Sequence, residues 1–517
     1  MQQEQEAVLA RILQNNQRSQ FGQAHQFSTI QTGKDFRARV PLFSYEDYES
    51  SIEKIQQGEQ SVLTESEVLL LEPTSGTSGA TKLIPYTEEL RKEFESGIAP
   101  WIYELYQTYP ELKNTYAYWS VSPSTTVSLL SKIPIGFPDD TAYFSKEEQE
   151  SIRETLAVPP EVRHIEDTES FWYVTLLFLL REKRLGLISI WNPTYLRVLF
   201  KPLQEKLPEL IKDIREGTLS VQVPANVREK LQANLRRDAE RAQELQHSAA
   251  LPDAEFLAKA FPRLQVISCW ADARAADSIG EITKLFPQVQ LQAKGLIATE
   301  GFISLPSKDG HSVLAVRSHF YEFIEVNTNK LFLAHQLEAG KQYAVVITTA
   351  GGLYRYQLHD IIEVHGRLQE APLITFIGKE KHLSDYVGEK VSAVHIERAL
   401  QEYQRTHALP LSFFMMAPER DGAVLHYTLY VEGSLTTQDC QALLSEFTRA
   451  LGRNYHYLNA LRLGQLQPLK LFQIRDSAAE TYLRRQSAAG RKLGDIKPTV
   501  LSRETGWSHE FRGEYVS

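Results

Sequence analysis

A loop rich in glycine, serine and threonine, residues 74–82, has the composition of a phosphate-binding loop. It lies between the apolar run 68–71 and the segment 84–87, so we expect it to follow a buried strand. Glycines let a backbone approach a ligand, successive amides form an anion-binding nest, and hydroxyl groups add donors. Gly76 and Gly79 are too close together for a Walker A motif, and no third glycine completes a dinucleotide fingerprint. A surface turn of small polar residues is the alternative to a phosphate site.

A second candidate segment, residues 294–301, follows a predicted strand and places an acid beside a glycine. Mg²⁺ takes hard oxygen ligands and bridges to nucleotide phosphates, which makes Glu300 the candidate metal ligand. Thr299 has a hydroxyl that can donate a hydrogen bond to the α-phosphate. A solvated turn is the alternative for an isolated Thr-Glu-Gly sequence.

A third segment, residues 348–360, predicts a strand, a glycine turn and a second strand that carries Asp360. An aspartate among apolar neighbours needs a partner, because burying a charge is costly. Two ribose hydroxyls would donate hydrogen bonds to it, and a salt bridge to Arg355 is the alternative. The pattern alone leaves both open.

A fourth segment, residues 490–498, is a glycine-framed loop that contains Lys497. Such a loop is typical of a protein surface. Its lysine becomes functional only if the C-terminal region carries it to a nucleotide, where it would offset the charge that builds on the α-phosphate.

Length and composition limit the classes of protein to which these segments can belong. The chain has 517 residues, of which 42% are hydrophobic and 23% charged, and this predicts two or three ordinary globular domains. Its net charge of -9 argues against a nucleic-acid binder. The two cysteines lie far apart and make neither a disulfide framework nor a zinc site. With no apolar run near ~20 residues and no signal peptide, we expect a cytoplasmic protein without membrane or nucleic-acid partners.

Periodicity places these segments on an alternation of helices and strands. We expect a helix at 86–106 with Thr87 as its N-cap, and an apolar helix at 171–180 that leads into a strand at 187–191. This alternation is typical of a mostly parallel, covered sheet. Further predicted elements are a helix at 7–13, a peripheral helix within 226–247 (preferred to a coiled-coil arm), and strands at 264–268, 289–292, 318–326, 343–349 and 373–377.

Taken together, the segments resemble the auxin-responsive acyl acid–amido synthetases, a family with bacterial members, and we identify the chain as a bacterial one. The resemblance rests on the order of motifs along nearly the whole chain, at 74–87, 133–136, 189–194, 268–272, 292–295, 299–301, 320–323, 352–356 and 497–498. The family lies within the adenylate-forming superfamily. It implies an α/β fold in which a large N-terminal adenylation domain (1–378) with mostly parallel sheets is hinged to a small, mobile α+β domain (379–517).

The resemblance also implies roles for individual residues. The phosphates would be held by Ser75, Gly76, Thr77 and Ser78, the α-phosphate also by Thr299, Mg²⁺ by Glu300, the ribose by Asp360, and adenylate formation would be assisted by Lys497. Two positions depart from the pattern. Leu296 replaces a tyrosine that many adenylate-forming enzymes stack on adenine, and His359 replaces a usual glycine.

The implied activity is an ATP- and Mg²⁺-dependent ligase that activates a carboxylic acid as an acyl adenylate and passes it to an amino acid. An acyl ligase with a thiol acceptor and an inactive nucleotide-binding regulator are the alternatives. We expect an apolar, aromatic or hormone-like acid, in a pocket lined by Trp119, Val121, Ser122, Phe171 and Thr175; core packing of these residues is the alternative. We expect a monomer or a weak homodimer.

Overall fold

Two units make up the chain. The computed structural model describes residues 1–75, 81–119, 131–137, 146–272, 279–307, 310–326, 328–379, 383–407, 411–422, 424–488 and 499–516. The first unit comprises Met1–Pro73 and Leu83–Glu380, and the second comprises Thr74–Lys82 and Lys381–Ser517.

The helices of the first unit surround its sheets. They are α1 (Gln2–Asn15), α2 (Gln20–Ala24), α3 (Gly33–Arg39), α4 (Glu49–Gln56), α5 (Glu88–Thr108), α6 (Lys146–Glu154), α7 (Thr168–Arg181), α8 (Thr194–Phe200), α9 (Leu203–Glu216), α10 (Ala225–Asn234), α11 (Ala239–Ser248), α12 (Asp253–Ala260) and α13 (Ile279–Leu285).

Helix α5 confirms the predicted N-cap, because the Thr87 side chain accepts a hydrogen bond from the Leu90 amide. Glu88 and Glu89 add negative charge to its first turn, where the helix dipole favours it. The helix begins two residues later than predicted, since Tyr86 and Thr87 still belong to a strand.

The segment 226–247 was expected to form one helix and forms parts of two, α10 and α11. The break comes before Asp238, which caps α11 by accepting from the Arg241 amide. Val227 and Leu231 are buried, which confirms that the segment covers the core.

A parallel sheet of four strands confirms the predicted helix–strand alternation. Its strands are β3 (Tyr116–Trp119), β4 (Leu185–Ser189), β5 (Val266–Cys269) and β6 (Gln290–Ala293), in that order. Each neighbouring pair is parallel. Helices lie between β3 and β4, between β4 and β5 and between β5 and β6, which is what parallel neighbours require.

The larger sheet differs from the expectation of mostly parallel sheets, because its pairs are antiparallel. It has the order β12-β11-β13-β14-β15-β10-β9. Its strands are β9 (Ser304–Pro306), β10 (Ser312–Leu314), β11 (Phe320–Glu325), β12 (Leu331–Leu333), β13 (Gln342–Thr348), β14 (Tyr356–Leu368) and β15 (Ala371–Lys379). Short connections join β9 to β10, β11 to β12, β13 to β14 and β14 to β15, and neighbours joined in this way must be antiparallel. Tyr343 of this sheet belongs to a cluster of buried residues. The cluster also contains residues that precede the sheet in sequence, including Tyr48, Leu71 and Ile84.

Two further sheets have two strands each. One consists of β1 (Val68–Ser75) and β2 (Thr81–Thr87), and the other of β7 (Ile297–Ala298) and β8 (Gly301–Phe302). They carry the two ends of the predicted phosphate loop and the Thr-Glu-Gly turn.

The second unit has its own sheet and core. It contains β16 (Leu383–Ser384), β17 (Val391–Ser392), β18 (Leu411–Asp421), β19 (Val424–Gly433), β20 (Leu466–Ile474), β21 (Gly513–Val516), α14 (Ala393–Thr406), α15 (Thr437–Leu451), α16 (Tyr455–Arg462) and α17 (Ala478–Ala488). The four longer strands pair in the order β18-β19-β20-β21, with only β19 and β20 parallel.

Both cysteines are buried and free, as expected. Across the described part of the chain, no helix has the length and apolar character needed to cross a membrane.

Candidate active site

The turn at Thr299 and Glu300 joins β7 to β8, whose residues Ala298 and Gly301 pair across it. Both turn residues are half-buried, so their side chains remain accessible. The Glu300 carboxylate lies near two tyrosines. Burial raises the pKa of Tyr45 to about 12, and the charge of Glu300 contributes in the same direction. Burial, and then Glu300, also raises the pKa of Tyr356 far above its usual value.

His319 lies directly behind this turn and is fully buried. Its Nε2 accepts a hydrogen bond of 2.9 Å from the Phe302 amide, so the ring proton is on Nδ1. That Nδ1–H donates to Glu93 Oε2 at 2.8 Å. A Cβ at Gly301 would lie 2.9 Å from His319 Nε2, so glycine is required for this close approach.

Glu93, on α5, connects three separate parts of the unit. Its Oε2 also accepts from the Ala350 amide at 2.9 Å, and its Oε1 accepts from Arg11 at 3.3 Å. Its side chain is only 2% exposed. One carboxylate therefore ties α5 to β8 through His319, and to the glycine turn that starts at Ala350.

The glycine turn at 350–352 lies between β13 and β14, as predicted. Gly352 has a φ of +103°, which favours glycine, and a Cβ there would lie 2.7 Å from the Leu63 side chain. Tyr354 follows the turn and donates from its hydroxyl to the Leu63 carbonyl at 2.8 Å. The turn is therefore held closely against the N-terminal segment.

Arg355 does not pair with Asp360, which removes the salt-bridge alternative. Its guanidinium makes two hydrogen bonds to Glu322, of 2.8 Å and 3.1 Å, and one of 2.6 Å to the Val40 carbonyl. Both members of the Arg355–Glu322 pair are buried. This pair is structural, because it fixes the start of β14 to β11, while the bond to Val40 fixes it against the segment after α3.

Asp360 lies on β14 and is 2% exposed, with its backbone opposite Lys379 of β15. The preceding residue, His359, has a φ of 60°. The ladder is irregular here, since Val346 pairs with Gln357 but Ala344 pairs with Ile361. A positive φ favours glycine, so this bulge accounts for the glycine that is usual at this position in the family that the chain resembles.

An aromatic pocket adjoins the Thr299–Glu300 turn. The empty space in it, counted together with the open solvent at its mouth, is about 500 Å³, and its described lining consists of Phe94, Ile98, Trp101, Ile102, Trp119, Ser189, Trp191, Lys294, Ile297 and Phe302. Ile297 and Phe302 flank the turn on either side, so the pocket opens beside the predicted α-phosphate site. Trp119 was expected to line the acid pocket and does line this one.

Phe171 and Thr175, which were also expected at the acid pocket, lie in the packed helix α7. Both are buried, and the Thr175 hydroxyl donates to the Phe171 carbonyl at 2.8 Å. They are not among the described residues that line the pocket.

Several predicted site residues lie outside the described residues, namely Gly76, Thr77, Ser78, Val121, Ser122 and Lys497. Ser75 is the last residue of β1. The described residues contain no group of three or more His, Cys, Asp or Glu side chains that could hold a metal ion. A metal at Glu300 would therefore need oxygen ligands from a nucleotide or from water.

Sequence reasoning missed Glu93, His319 and the lysine in the pocket wall. A signal for Glu93 was available, because it interrupts the apolar face that Leu90, Phe94 and Ile98 form on α5. An acid at such a position is buried and must find donors.

Known proteins are similar in sequence to nearly the whole chain. Residues 1–291 match the GH3 family N-terminal domain, residues 312–379 the GH3 family central domain, and residues 394–506 the GH3 family C-terminal domain. Indole-3-acetic acid-amido synthetase GH3.2 of Arabidopsis thaliana is 25% identical over 540 residues, which cover 96% of this chain and 92% of the relative. Indole-3-acetic acid-amido synthetase GH3.4 of Arabidopsis thaliana is 26% identical, over 97% of this chain and 85% of the relative.

Solved structures share the fold. AtGH3.15 acyl acid amido synthetase in complex with 2,4-DB superposes with a TM-score of 0.67 at 20% identity, covering 97% of this chain and 92% of that structure. A 2-hydroxyisobutyryl-CoA ligase superposes with a TM-score of 0.52 at 12% identity, covering 96% of this chain and 89% of that structure. These likenesses confirm the α/β class and the adenylate-forming fold with a separate C-terminal part. Since its three consecutive matches span most of its length, the chain belongs to the GH3 family.

Proposed function

We propose that this protein is an ATP-dependent acyl acid–amido synthetase, which joins a carboxylic acid to an amino acid through an acyl adenylate. In the first half-reaction the carboxylate attacks the α-phosphorus of ATP and pyrophosphate leaves. In the second, the amine attacks the acyl carbonyl and AMP leaves. The two Arabidopsis thaliana relatives named above are amido synthetases, and the activity is carried to this chain from them.

One observation carries the proposal beyond family membership. The Glu93 carboxylate holds β8 and the turn at Ala350 through short, buried hydrogen bonds, and an aromatic pocket opens beside the Thr299–Glu300 turn. The Thr299–Glu300 turn, the glycine turn at 350–352 and the aromatic pocket thus belong to one packed unit. Such prior positioning is what converts a reaction between two substrates into an effectively intramolecular one.

We assign the nucleotide roles as the resemblance implies. Thr299 donates to the α-phosphate, Asp360 accepts from the ribose hydroxyls, and Ser75, Gly76, Thr77 and Ser78 hold the β- and γ-phosphates. Because Arg355 pairs with Glu322, a salt bridge to Arg355 is no longer an alternative to the ribose assignment. Lys497 stabilises charge during adenylate formation.

Mg²⁺ fits this site through Glu300, whose carboxylate is accessible at the turn. A bound Mg²⁺ would neutralise charge on the triphosphate. Phosphate and water oxygens are hard ligands that would complete the shell of such an ion.

The acid pocket is assigned to Trp119, Val121 and Ser122, whereas Phe171 and Thr175 are buried in α7. Its aromatic lining favours an apolar, aromatic acid. We assign no general base to the amine. A bacterial origin stays a prediction, since the two amido synthetases GH3.2 and GH3.4 named above are proteins of a plant, Arabidopsis thaliana.

We further propose that residues 379–517 rotate between the two half-reactions, about a pivot close to residues 378–384. Limited proteolysis without ligand, with ATP, and with an acyl-adenylate mimic tests this proposal, because cleavage near the pivot should depend on the ligand. Identical cleavage in all three states would argue against rotation.

The activity itself is tested in two steps. Pyrophosphate release is measured with ATP and a panel of aryl and indolyl carboxylic acids, and amide products with the twenty amino acids are then sought by mass spectrometry. Amide formation is the expected result. Transfer to coenzyme A instead of an amine would identify a thiol ligase, and ATP binding without pyrophosphate release would identify a regulator.

A further inference from the structure

Helix α5 contains a buried glycine, Gly97, in the part of the helix that borders the aromatic pocket. Glycine in a helix interior loses more conformational freedom on folding than alanine, so its presence at this position needs a reason. It lies three residues after Phe94 and four before Trp101, and both of these side chains line the pocket. Residues at this spacing are neighbours on one helix face, so Gly97 leaves a gap in the wall that α5 gives to the pocket.

The phenyl ring of Phe302 occupies this gap. A Cβ at Gly97 would lie 2.2 Å from Cδ1 of that ring, 2.5 Å from Cε1 and 2.8 Å from Cγ. For the closest of these atoms to reach an ordinary van der Waals contact of 3.4 Å, it would have to move by about 1.2 Å. The ring can therefore lie directly against the helix backbone only because residue 97 has no side chain.

The backbone of Phe302 is held on both sides. Its amide donates to His319 at 2.9 Å, and its carbonyl accepts from the Tyr321 hydroxyl at 2.7 Å. His319 in turn donates to Glu93. A side chain added at position 97 would therefore displace the ring of Phe302 and leave strand β8 in place.

The displaced ring would enter the pocket. Phe302 belongs to a cluster of buried residues that includes Phe94, Ile98 and Ala315, and the Phe94 ring stands edge-on to it with 6.3 Å between ring centres. A close-packed interior has no room for a ring that moves, whereas the pocket that Phe302 also lines is open space. Gly97 thus sets how far the Phe302 wall stands back from the space in which an acid would bind.

We propose that Gly97 is a specificity-determining residue, because it leaves the pocket wide enough for a carboxylic acid whose aromatic part is larger than a single phenyl ring. The inference rests on the proposed function for the identity of the pocket. Apolar walls bind such a ring system through the area that they remove from water, so a larger ring that fits gains affinity. A wall moved inward by the width of a methyl group excludes the larger ring first.

The test compares two acids that share a carboxymethyl arm and differ by one fused ring, phenylacetate and 2-naphthylacetate. The relative kcat/KM of the two acids is read from pyrophosphate release by the full-length protein. Their relative affinity is read from quenching of tryptophan fluorescence, because Trp101, Trp119 and Trp191 line the pocket. We expect the wild type to use the naphthyl acid at least as well as the phenyl acid. The ratio cancels effects common to both acids, including any effect on ATP that a shift of α5 transmits through Glu93.

Two substitutions separate the width of the pocket from the packing of the helix. Gly97→Ala should lower the naphthyl-to-phenyl ratio by roughly tenfold or more, the scale on which a pocket discriminates one methylene group. Adding Phe302→Leu to this variant should restore most of the ratio, because the aliphatic chain is smaller than the ring and can turn away from residue 97. Gly280→Ala is the matched control on α13, where no described atom lies within 4 Å of an added Cβ, and it should leave the ratio unchanged.

A wild type that rejects the naphthyl acid would overturn the inference. So would the wild-type ratio in Gly97→Ala, even with an equal loss for both acids, because the glycine would then serve only the packing of α5. If Gly97→Ala does not fold, Phe302→Leu alone decides: the smaller side chain should raise the ratio, and an unchanged or lower ratio would overturn the inference.

The same measurements separate this inference from the proposed function. Amide formation with a ratio that does not depend on Gly97 refutes this inference alone. A ratio in binding that depends on Gly97, without any amide product, supports it and refutes the proposed function.

Discussion

Replacing Glu93 with alanine removes the acceptor of two buried donors, the Nδ1–H of His319 and the amide of Ala350. A buried donor left without an acceptor costs about 1–3 kcal/mol, so the pair predicts a loss of roughly 4 kcal/mol in the free energy of unfolding of the first unit. Two such donors give a range of about 2–6 kcal/mol, and the loss of a charged acceptor places the expected value at or above its middle.

Glu93→Gln should cost less, about 2 kcal/mol. Its amide oxygen can still accept from His319 and Ala350, but as a neutral acceptor, and a hydrogen bond to a charged group exceeds a neutral one by about 1 kcal/mol. Arg11→Ala is the matched control. The Arg11 side chain is 47% exposed, and exposed ion pairs contribute about 0–1 kcal/mol.

Urea unfolding, followed by a signal specific to the first unit, measures these losses. The loss should be largest in Glu93→Ala, smaller in Glu93→Gln and smallest in the Arg11→Ala control. The KM for ATP in the folded Gln variant should rise several-fold, because the turns at 299–301 and 350–352 lose their common support. Wild-type stability in Glu93→Ala would refute the reasoning on the hydrogen bonds. Lower stability with an unchanged KM would refute the positioning role.

Three further outcomes test other parts of the structure. Asp360→Ala should weaken ATP binding by about 1–3 kcal/mol in calorimetry while the fold survives, whereas Glu322→Gln should lower stability because it breaks the buried pair with Arg355; normal ATP binding by Asp360→Ala would remove the ribose assignment. Lys497→Ala should slow ATP–pyrophosphate exchange by roughly 10²–10³ and largely spare aminolysis of a synthetic acyl adenylate, with Lys492→Ala as the control, and normal exchange in the Lys497 variant would make this assignment wrong. Burial, and then the charge of Asp385, raises the pKa of Glu389 from 4.5 to about 7 in the folded protein. Unfolding therefore releases a proton, and the second unit should lose about 3 kcal/mol of stability as the pH rises from about 4.5 to 7. Thermal unfolding across this range checks that sign, and an unchanged slope in Glu389→Gln would count against it.

Local patterns predicted much of the architecture. The cap at Thr87, the apolar helix α7 and three of the four strands of the parallel sheet (all but β3) depend on residues close in sequence. Turn chemistry at 299–301 and 350–352 is likewise local. Strand direction is not local, because an apolar run has the same composition in a parallel or an antiparallel pair. The antiparallel pairing of the seven-stranded sheet was therefore not predicted, although its strands at 318–326, 343–349 and 373–377 were.

The interior of the site depends on contacts between distant residues. Glu93 meets His319 across 226 positions and Ala350 across 257. Lys294 lies within the motif at 292–295, but the two indole rings beside it come from Trp101 on α5 and Trp191 beyond β4. Such contacts are set by packing, and no spacing along the chain encodes them.

Helix α5 presents Glu93 to the buried network and Phe94, Ile98 and Trp101 to the pocket. This shared helix limits how the protein can be redesigned. A library that varies the α5 side of the pocket shifts the helix, and with it the turns that Glu93 supports, so changes in acid preference there come at the expense of ATP use. On the sheet side, Trp119 and Trp191 lie at the end of β3 and beyond β4, and the described hydrogen bonds of Glu93 do not involve these strands. Evolvability of acid preference in this protein is therefore concentrated on the sheet side of the pocket.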